Sequence, residues 1–385
     1  MSDAWIVDPR RTAFTRAGKG GFAGTRPDDL LAALFTELLA AHPRARETLD
    51  EVVVGCAYPE AEQGRNVARA AALLAQIPDP APAMTLTRMC ASSLEATAVA
   101  AAKIRLGEAS LALVGGVESM TLVPMGGVKP VPNPRLAVQR PEALLTMGQT
   151  AERVAERYGV SRADQDAWAL RSHQRAARAR ARGVFEAEIV PLASARGDRV
   201  SLDDALRPDT SAEKLASLKP VFLDGGSVTA GNASPINDGA SALLLASDDA
   251  LAELDLRPLG RVLSYAVGGV APDVMGIGPV VAVPKALRRA GLELSAIDRV
   301  ELNEAFAAQV VAVVRELGLP EERTNVNGGA IAIGHPLGAT GARLVGTLLR
   351  ELERSGGRYG LATLCVGGGM GAAMVVEQVA TIRSS

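Results

Sequence analysis

Leu49-Asp50-Glu51-Val52-Val53-Val54 and, in the last third of the chain, Ile297-Asp298-Arg299-Val300-Glu301-Leu302 are one pattern written twice. Each leads from polar residues into a short apolar run, as a buried strand does, and each is followed by an Ala-containing turn into a helical pattern. The correspondence continues further along. An extended segment, a turn and an Ala-rich helix surround Cys90, and the same succession surrounds His335; the strands that follow end in Val114-Gly115-Gly116 and Val366-Gly367-Gly368. Several elements repeating in one order predict two copies of one α/β unit.

Outward from these anchors, short apolar runs alternate with helical ones: 5–7 then 30–39, 52–54 then 67–74, and a helix over 94–106 before a strand from 110 to 114. This rhythm predicts βα units on a largely parallel sheet. Residues 119–235 differ, opening with Pro124, Pro130, Pro132 and Pro134, running through a polar helix over 162–182, and showing few buried strands until 241–246. Gly148-Gln149-Thr150-Ala151-Glu152 and Ser161-Arg162-Ala163-Asp164 read as helix starts, the second with a Ser cap and an Asp three residues on. The expected organisation is an N-terminal half over 1–118, to which 236–257 return, an inserted loop domain over 119–235, and a C-terminal half over 258–385.

The 385 residues are 48% hydrophobic, enough for sizeable cores and two or three domains. Forty-one Lys and Arg against 43 Asp and Glu leave a net charge of -2, so no field favours nucleic acid or an acidic membrane surface. Three cysteines, Cys56, Cys90 and Cys365, stand far apart without CxxC spacing. They fit neither a disulfide framework nor a zinc site, and predict a reducing compartment, the cytoplasm. No basic leader precedes an apolar run at the N-terminus, and no stretch reaches the roughly 20 apolar residues of a membrane span, so no membrane insertion is expected.

Four places carry candidate chemistry. Cys90, in Thr87-Arg88-Met89-Cys90-Ala91-Ser92-Ser93, sits before an Ala-rich helix, whose unpaired N–H groups and dipole favour a thiolate; the alternative is a small buried hydrophobe. His335 lies in the glycine-rich run from Asn327 to Gly341, which lets backbone approach a ligand or lets helices pack. The run has neither the Lys-Ser/Thr of a P-loop nor GxGxxG spacing. Cys365 ends a predicted strand before Val366-Gly367-Gly368-Gly369, where an open α/β sheet places ligands and backbone N–H groups suit an oxyanion hole. Asn303, in Asn303-Glu304-Ala305-Phe306, fixes a water or polarises a carbonyl, with a helix N-cap as the alternative. Cys56 follows a strand without a charged or glycine-rich partner and reads as structural. Arg171, Arg175, Arg178, Arg180 and Arg182 read as a solvated helix face, with contact to phosphates of an anionic cofactor as the alternative.

Together, in this order and over almost the whole chain, these motifs resemble the thiolase family, specifically the degradative 3-ketoacyl-CoA thiolases. The matches are Arg-Met-Cys-Ala-Ser-Ser at 88–93, Asn-Glu-Ala-Phe at 303–306, Gly-Gly-Ala-Ile-Ala-Ile-Gly-His-Pro-Leu-Gly at 328–338 and Cys-Val-Gly-Gly-Gly at 365–369. Gly115-Gly116-Val117-Glu118-Ser119-Met120 and Thr229-Ala230-Gly231-Asn232-Ala233-Ser234 are also similar to family signatures. The resemblance implies the α/β thiolase fold: two duplicated halves in a five-layered α-β-α-β-α core with an inserted loop domain, assembled as a homodimer or homotetramer. It further implies that Cys90 is the acylated nucleophile, that His335 takes its proton, and that Cys365 is the second acid/base. Asn303 would hold a water of one oxyanion hole with His335, and the N–H groups of Cys90 and Gly367 would form the other. Ser234 would meet the pantetheine arm of CoA, Arg207 and Phe222 its adenine end, and Met147, Met275 and Phe306 the substrate-pocket wall. Ala91 and Pro235 stand where the family commonly has glycine. The implied partners are CoA, acyl-CoA substrates and other β-oxidation enzymes; no metal or further cofactor is implied, CoA entering as a substrate.

The chemistry fits these residues. Cleaving the C2–C3 bond of a 3-ketoacyl thioester needs a soft nucleophile at the ketone and a place for charge on the departing enolate, and two thiols and an imidazole supply both. The reverse, a biosynthetic Claisen condensation giving acetoacetyl-CoA, is the alternative. A decarboxylating ketoacyl synthase is expected to pair its Cys with two histidines, and His42 and His173 lie in neither motif. A non-catalytic acyl-CoA or lipid carrier requires neither thiol, and a nicotinamide oxidoreductase lacks its GxGxxG.

Overall fold

The computed structural model describes residues 2–379; Met1 and residues 380–385, the ends of the two halves as delimited above, lie outside the described residues. Strand β1 (Trp5–Arg11) leads to helix α1 (Pro27–Ala41), which starts on Pro27 with Asp28 and Asp29 in its first turn. Leu31, Leu34, Phe35 and Leu38 of α1 recur at helical spacing and are buried. The first run continues through β2 (Glu51–Gly55), α2 (Val67–Leu74), β3 (Ala83–Leu86), α3 (Ser92–Arg105) and β4 (Leu111–Ser119). A long excursion follows, carrying α4 (Met147–Arg157) and α5 (Arg162–Ala181), before β5 (Asn237–Ala246) returns. Thr146 caps α4, which starts at Met147, one residue before the start read at Gly148, and Ser161 with Asp164 forms the capping box of α5. The second run is β6 (Gly260–Gly269), α6 (Gly278–Ala290), β7 (Arg299–Leu302), α7 (Ala307–Leu317), α8 (Thr340–Ser355), β8 (Tyr359–Val366) and β9 (Met370–Gln378).

The two runs build the same sheet. Strand order is β3-β2-β4-β5-β1 in one and β7-β8-β9-β6 in the other, with a parallel bridge between Val300 and Thr324 where the counterpart of β3 belongs. Thus β2 answers to β7, β4 to β8, β5 to β9, β1 to β6 and α3 to α8. The excursion occupies the place of a tight turn: β8 passes to β9 through Gly367-Gly368-Gly369, whereas β4 and β5 are joined by more than a hundred residues.

One expectation is corrected, because the sheet is mixed. Among the described residues these strands pair in parallel at β2–β3, β2–β4 and β7–β8 and antiparallel at β4–β5, β5–β1, β1–β6, β6–β9 and β9–β8. The βα rhythm holds while a helix crosses over between strands, and fails at β5 and β9, which return beside their predecessors without a crossover.

Strands β1 and β6 share only two residue pairs, Trp5 with Arg261 and Ile6 with Gly260, so the halves' sheets join along one edge and splay to admit α3 and α8. Alternation along β2 sends Val52 and Val54 into a core beneath α1 and α2, and Val53 into a central core with α3 and α8. Along β8, Leu361 faces a third core beneath α6 and α7, while Ala362, Leu364 and Val366 face the central one. Three cores between five layers give the helix-sheet-helix-sheet-helix order that the resemblance implied. The middle layer is close-packed: a Cβ on Gly341 would lie 2.3 Å from Leu94 N, and the Ala342 N–H donates to Ser93 Oγ at 2.9 Å. That contact brings the N-termini of α3 and α8 together, and with them the turns carrying Cys90 and His335.

Candidate active site

Cys90 stands at the corner between β3 and α3. Met89 adopts φ 45°, a costly conformation for a residue with a side chain. Ser92 holds the corner by accepting from the Arg88 N–H (3.0 Å) and donating to the Met89 carbonyl (2.6 Å). Ala91 lies at φ −95°, where no glycine is needed. The corner presents the thiol to an apolar cavity of about 280 Å3. Burial pushes this thiol up to about 11, outweighing the N–H groups of Gly367 and of Cys90 itself, which favour the charged form. Burial thus opposes the thiolate that backbone N–H groups favour, and a base beside Cys90 is needed to offset it.

His335, 4% exposed, is held at its backbone N–H and at both ring nitrogens. Its Nδ1 lies 2.6 Å from Thr340 Oγ1, and that hydroxyl donates to the Pro336 carbonyl (2.8 Å), so Nδ1 carries the proton and donates to Thr340. Nε2 is then the lone-pair nitrogen, and Asn303 Nδ2 donates to it at 3.2 Å. The His335 N–H donates to Asn237 Oδ1 (2.9 Å). Burial pushes the imidazole down to about 3, with the positive charge of Arg343 acting in the same direction, so the ring is neutral. Cys365, next to last in β8, is also buried; burial first, then the neighbouring Cys90, push its thiol upward and keep it protonated. Asn303 directly follows β7 and is fully buried, with its Oδ1 lacking a partner.

The cavity brings together Cys90, His335, Cys365, Met147, Met275, Phe306, Phe222 and Ser234. Phe222 and Phe306 meet edge to face at 6.0 Å, and the Ser234 N–H donates to the Ala305 carbonyl. Asn303 and Gly367 stand behind the lining, against His335 and Cys90. Arg207 does not line the cavity: it is exposed, and its backbone N–H donates to His173 Nδ1 (3.3 Å). His42 pairs with Asp8, away from the thiols.

Several residues that hold the site carried no assigned role. Glu118, next to last in β4, is fully buried and accepts from the N–H groups of Ala57, Tyr58 and Gly338 and from Gln63 Nε2. It also lies 3.9 Å from Cys56 Sγ, which corrects the reading of Cys56 as lacking a charged partner. Glu304 accepts from Trp168 Nε1, Ser172 Oγ, Asn325 Nδ2 and the Ile331 N–H, tying α5 to the loop before His335. The available signal was a lone carboxylate at the end of a buried strand. The arginine cluster is corrected as well: Arg171 stacks on Trp168 (3.8 Å) and pairs with Glu321, Arg175 donates to the Thr324 and Asn325 carbonyls, and Arg180 donates to the Asp203 carbonyl. Only Arg178 and Arg182 are exposed. Among the described residues no helix is long and apolar enough to cross a membrane.

The chain is similar to known proteins over nearly its whole length. The family model for the thiolase N-terminal domain matches residues 4–249, and that for the thiolase C-terminal domain matches 256–378. A 3-ketoacyl-CoA thiolase of Bacillus subtilis (strain 168) is 49% identical, over 98% of this chain and 100% of its own. A β-ketoadipyl-CoA thiolase of Pseudomonas putida is likewise 49% identical, over 98% of this chain and 100% of its own. Among solved structures, human mitochondrial 3-ketoacyl-CoA thiolase in complex with CoA superposes with a TM-score of 0.91 at 38% identity, covering 98% of both chains. The dimeric peroxisomal thiolase of Saccharomyces cerevisiae gives 0.92 at 38%, covering 98% of this chain and 97% of that one. With both domain models matched in order and full-length relatives near half identity, the chain belongs to the thiolase family.

Proposed function

We propose that the protein is an acyltransferase that cleaves 3-ketoacyl-CoA with CoA into acetyl-CoA and a shortened acyl-CoA, by a ping-pong route through an acyl group on Cys90. The observation that carries this reading is a single apolar cavity holding one thiol from each half beside a neutral imidazole whose Nε2 is the free base. His335 takes the Cys90 proton as the sulfur adds to C3, and the N–H groups of Cys90 and Gly367 stabilise the resulting oxyanion. The C2–C3 bond then breaks. Its electron pair passes into the thioester enolate, whose oxygen is met by protonated His335 and by water held on Asn303, and C2 takes the proton of Cys365. Acetyl-CoA departs, leaving a thioester on Cys90. The Cys365 thiolate removes the proton of an incoming CoA thiol, CoA sulfur attacks the acyl carbon, and Cys90 leaves and recovers its proton from His335.

Ser234 is assigned to the pantetheine arm of CoA, Met147, Met275 and Phe306 to the pocket wall, and Arg207, outside the cavity, to the adenine end; Phe222, expected at the adenine end with Arg207, instead lines the cavity against Phe306 and is assigned to its wall. No metal or further cofactor enters this chemistry. The same reading includes a cytoplasmic location, supported by three free cysteines, association with other β-oxidation enzymes, and a homodimer or tetramer, supported by the dimeric yeast relative and by edge strand β3, every residue of which is only half-buried. Initial rates of acetyl-CoA release, with both substrates varied, test the ping-pong route: parallel double-reciprocal lines are expected, and intersecting lines would contradict it. Light scattering is expected to give at least twice the 39.8 kDa chain mass.

A further inference from the structure

Two relatives of equal identity, 49%, differ in what their names say of the acyl chain: a 3-ketoacyl-CoA thiolase, whose name leaves the far end open, and a β-ketoadipyl-CoA thiolase, whose named acyl group ends in a carboxylate. Identity does not choose between them, but the chemistry around Cys90 does. Once C3 is bonded to Cys90, three C–C bonds of about 1.5 Å keep the last carbon of a six-carbon chain within about 4.5 Å of C3, whichever way the chain runs. A terminal carboxylate therefore shares the surroundings of the nucleophile.

Those surroundings offer it no partner. Met120, Met125, Met147, Met275 and Leu337 contribute apolar atoms, and among the described residues no Lys or Arg lines the cavity. His335 is neutral, and the nearest cation behind it, Arg343, is paired with Glu301 at 3.1 Å. The charge that acts on Cys90 is negative, Glu118 opposing its ionisation from behind, and on the segment that carries Met125 the Val128 N–H donates to another carboxylate, Glu60. Thr146, one of two hydroxyls in the lining, is committed to Gln149 as its helix cap. Burying an unpaired carboxylate in such a site is unfavourable, whereas a methyl terminus gains from it, and methionine side chains adapt to methyl-ended chains of different length.

We propose that this cavity selects neutral aliphatic 3-ketoacyl chains and rejects chains with a terminal carboxylate, through the methionine-rich lining beside Cys90; the inference rests on the thiolytic reading above. The test is a matched pair, 3-ketohexanoyl-CoA and 3-ketoadipyl-CoA, which share a six-carbon skeleton and the whole CoA moiety. For the wild-type enzyme kcat/KM is expected to favour the hexanoyl thioester by about fiftyfold or more. A ratio within threefold overturns the inference and leaves the thiolytic reading standing. Failure to cleave either compound, with no acyl group on Cys90 by intact mass, overturns both. Met125, 46% exposed at the cavity mouth, provides the second arm. Met125→Lys supplies a cation and is expected to shrink the ratio by about tenfold. A wild-type preference that Met125→Lys leaves unmoved would show that the neutral lining does not set it, and would also overturn the proposal.

Discussion

The two halves place different chemistry at one equivalent position. The turn before α3 presents Cys90 and the turn before α8 presents His335, yet the corners are built differently. The first is open: Cys90 is half-buried, and its corner rests on one strained residue and the Ser92 hydroxyl. The second is closed, with Asn237, Glu118, Asn303 and Thr340 each holding a separate atom of the loop or ring. A nucleophile has to meet an incoming carbonyl and follow it through a tetrahedral state, whereas a base has to keep one nitrogen aimed. Duplication set two helix N-termini side by side, and the different shells around them separate attack from proton transfer.

The largest expected effect breaks the open corner. Cys90→Ala should lower turnover by about 10^4-fold or more and leave no covalent intermediate. Cys365→Ala should still acylate at Cys90 from acetyl-CoA, because His335 remains, and stall where C2 must gain or lose a proton. Intact-mass spectrometry of both variants decides; label that persists in Cys90→Ala and vanishes in Cys365→Ala would reverse the roles.

The closed corner comes next. His335→Asn keeps a hydrogen-bonding amide but no base, and turnover is expected to fall about a hundredfold or more; a variant within twofold of wild type would sink the assignment. Thr340→Val leaves the buried Nδ1–H without an acceptor and frees the ring to invert its tautomer, which is expected to cost about tenfold in kcat, while Thr340→Ser restores it. Equal rates for Thr340→Val and wild type would move tautomer control away from Thr340.

The smallest effect is on stability, and it separates the corners by pH. The His335 pKa is depressed to about 3 by burial, below the ordinary value of 6.5, so between these pH values the unfolded chain binds a proton that the native ring refuses. Stability therefore falls as pH falls through that window, by at most about 1.4 kcal/mol per pH unit for this group. Cys90 is displaced the other way, from 9.0 to about 11, so the unfolded chain ionises first and stability falls as pH rises between them. Urea titrations should show His335→Asn flattening only the acid limb and Cys90→Ala only the alkaline limb. Equal slopes in wild type and variant at either end would contradict the corresponding burial.

What the sequence determined by itself is what neighbouring residues determine. Helix caps such as Ser161 with Asp164, the repeated strand of 49–54 and 297–302, and the glycines around His335 and Cys365 all express local backbone preference and apolar period. The three reacting groups stood out for the same reason, each beside a turn with its own local pattern. Strand direction was not legible, because an apolar run has the same period whichever way its neighbour points, and the mixed sheet follows from where β5 and β9 return. Nor were the holders of the site: Glu118 meets Cys56 and Gly338 across 62 and 220 residues, and Glu304 meets Trp168 across 136. The charge state of Cys90 belongs to the same class. Its place near a helix N-terminus is local and favours the thiolate, but the desolvation that outweighs it is imposed by cavity walls drawn from both halves and the excursion between them. Only tertiary structure decides that balance, because the cost of burying a charge depends on everything packed around it and not on the residues beside it in the chain.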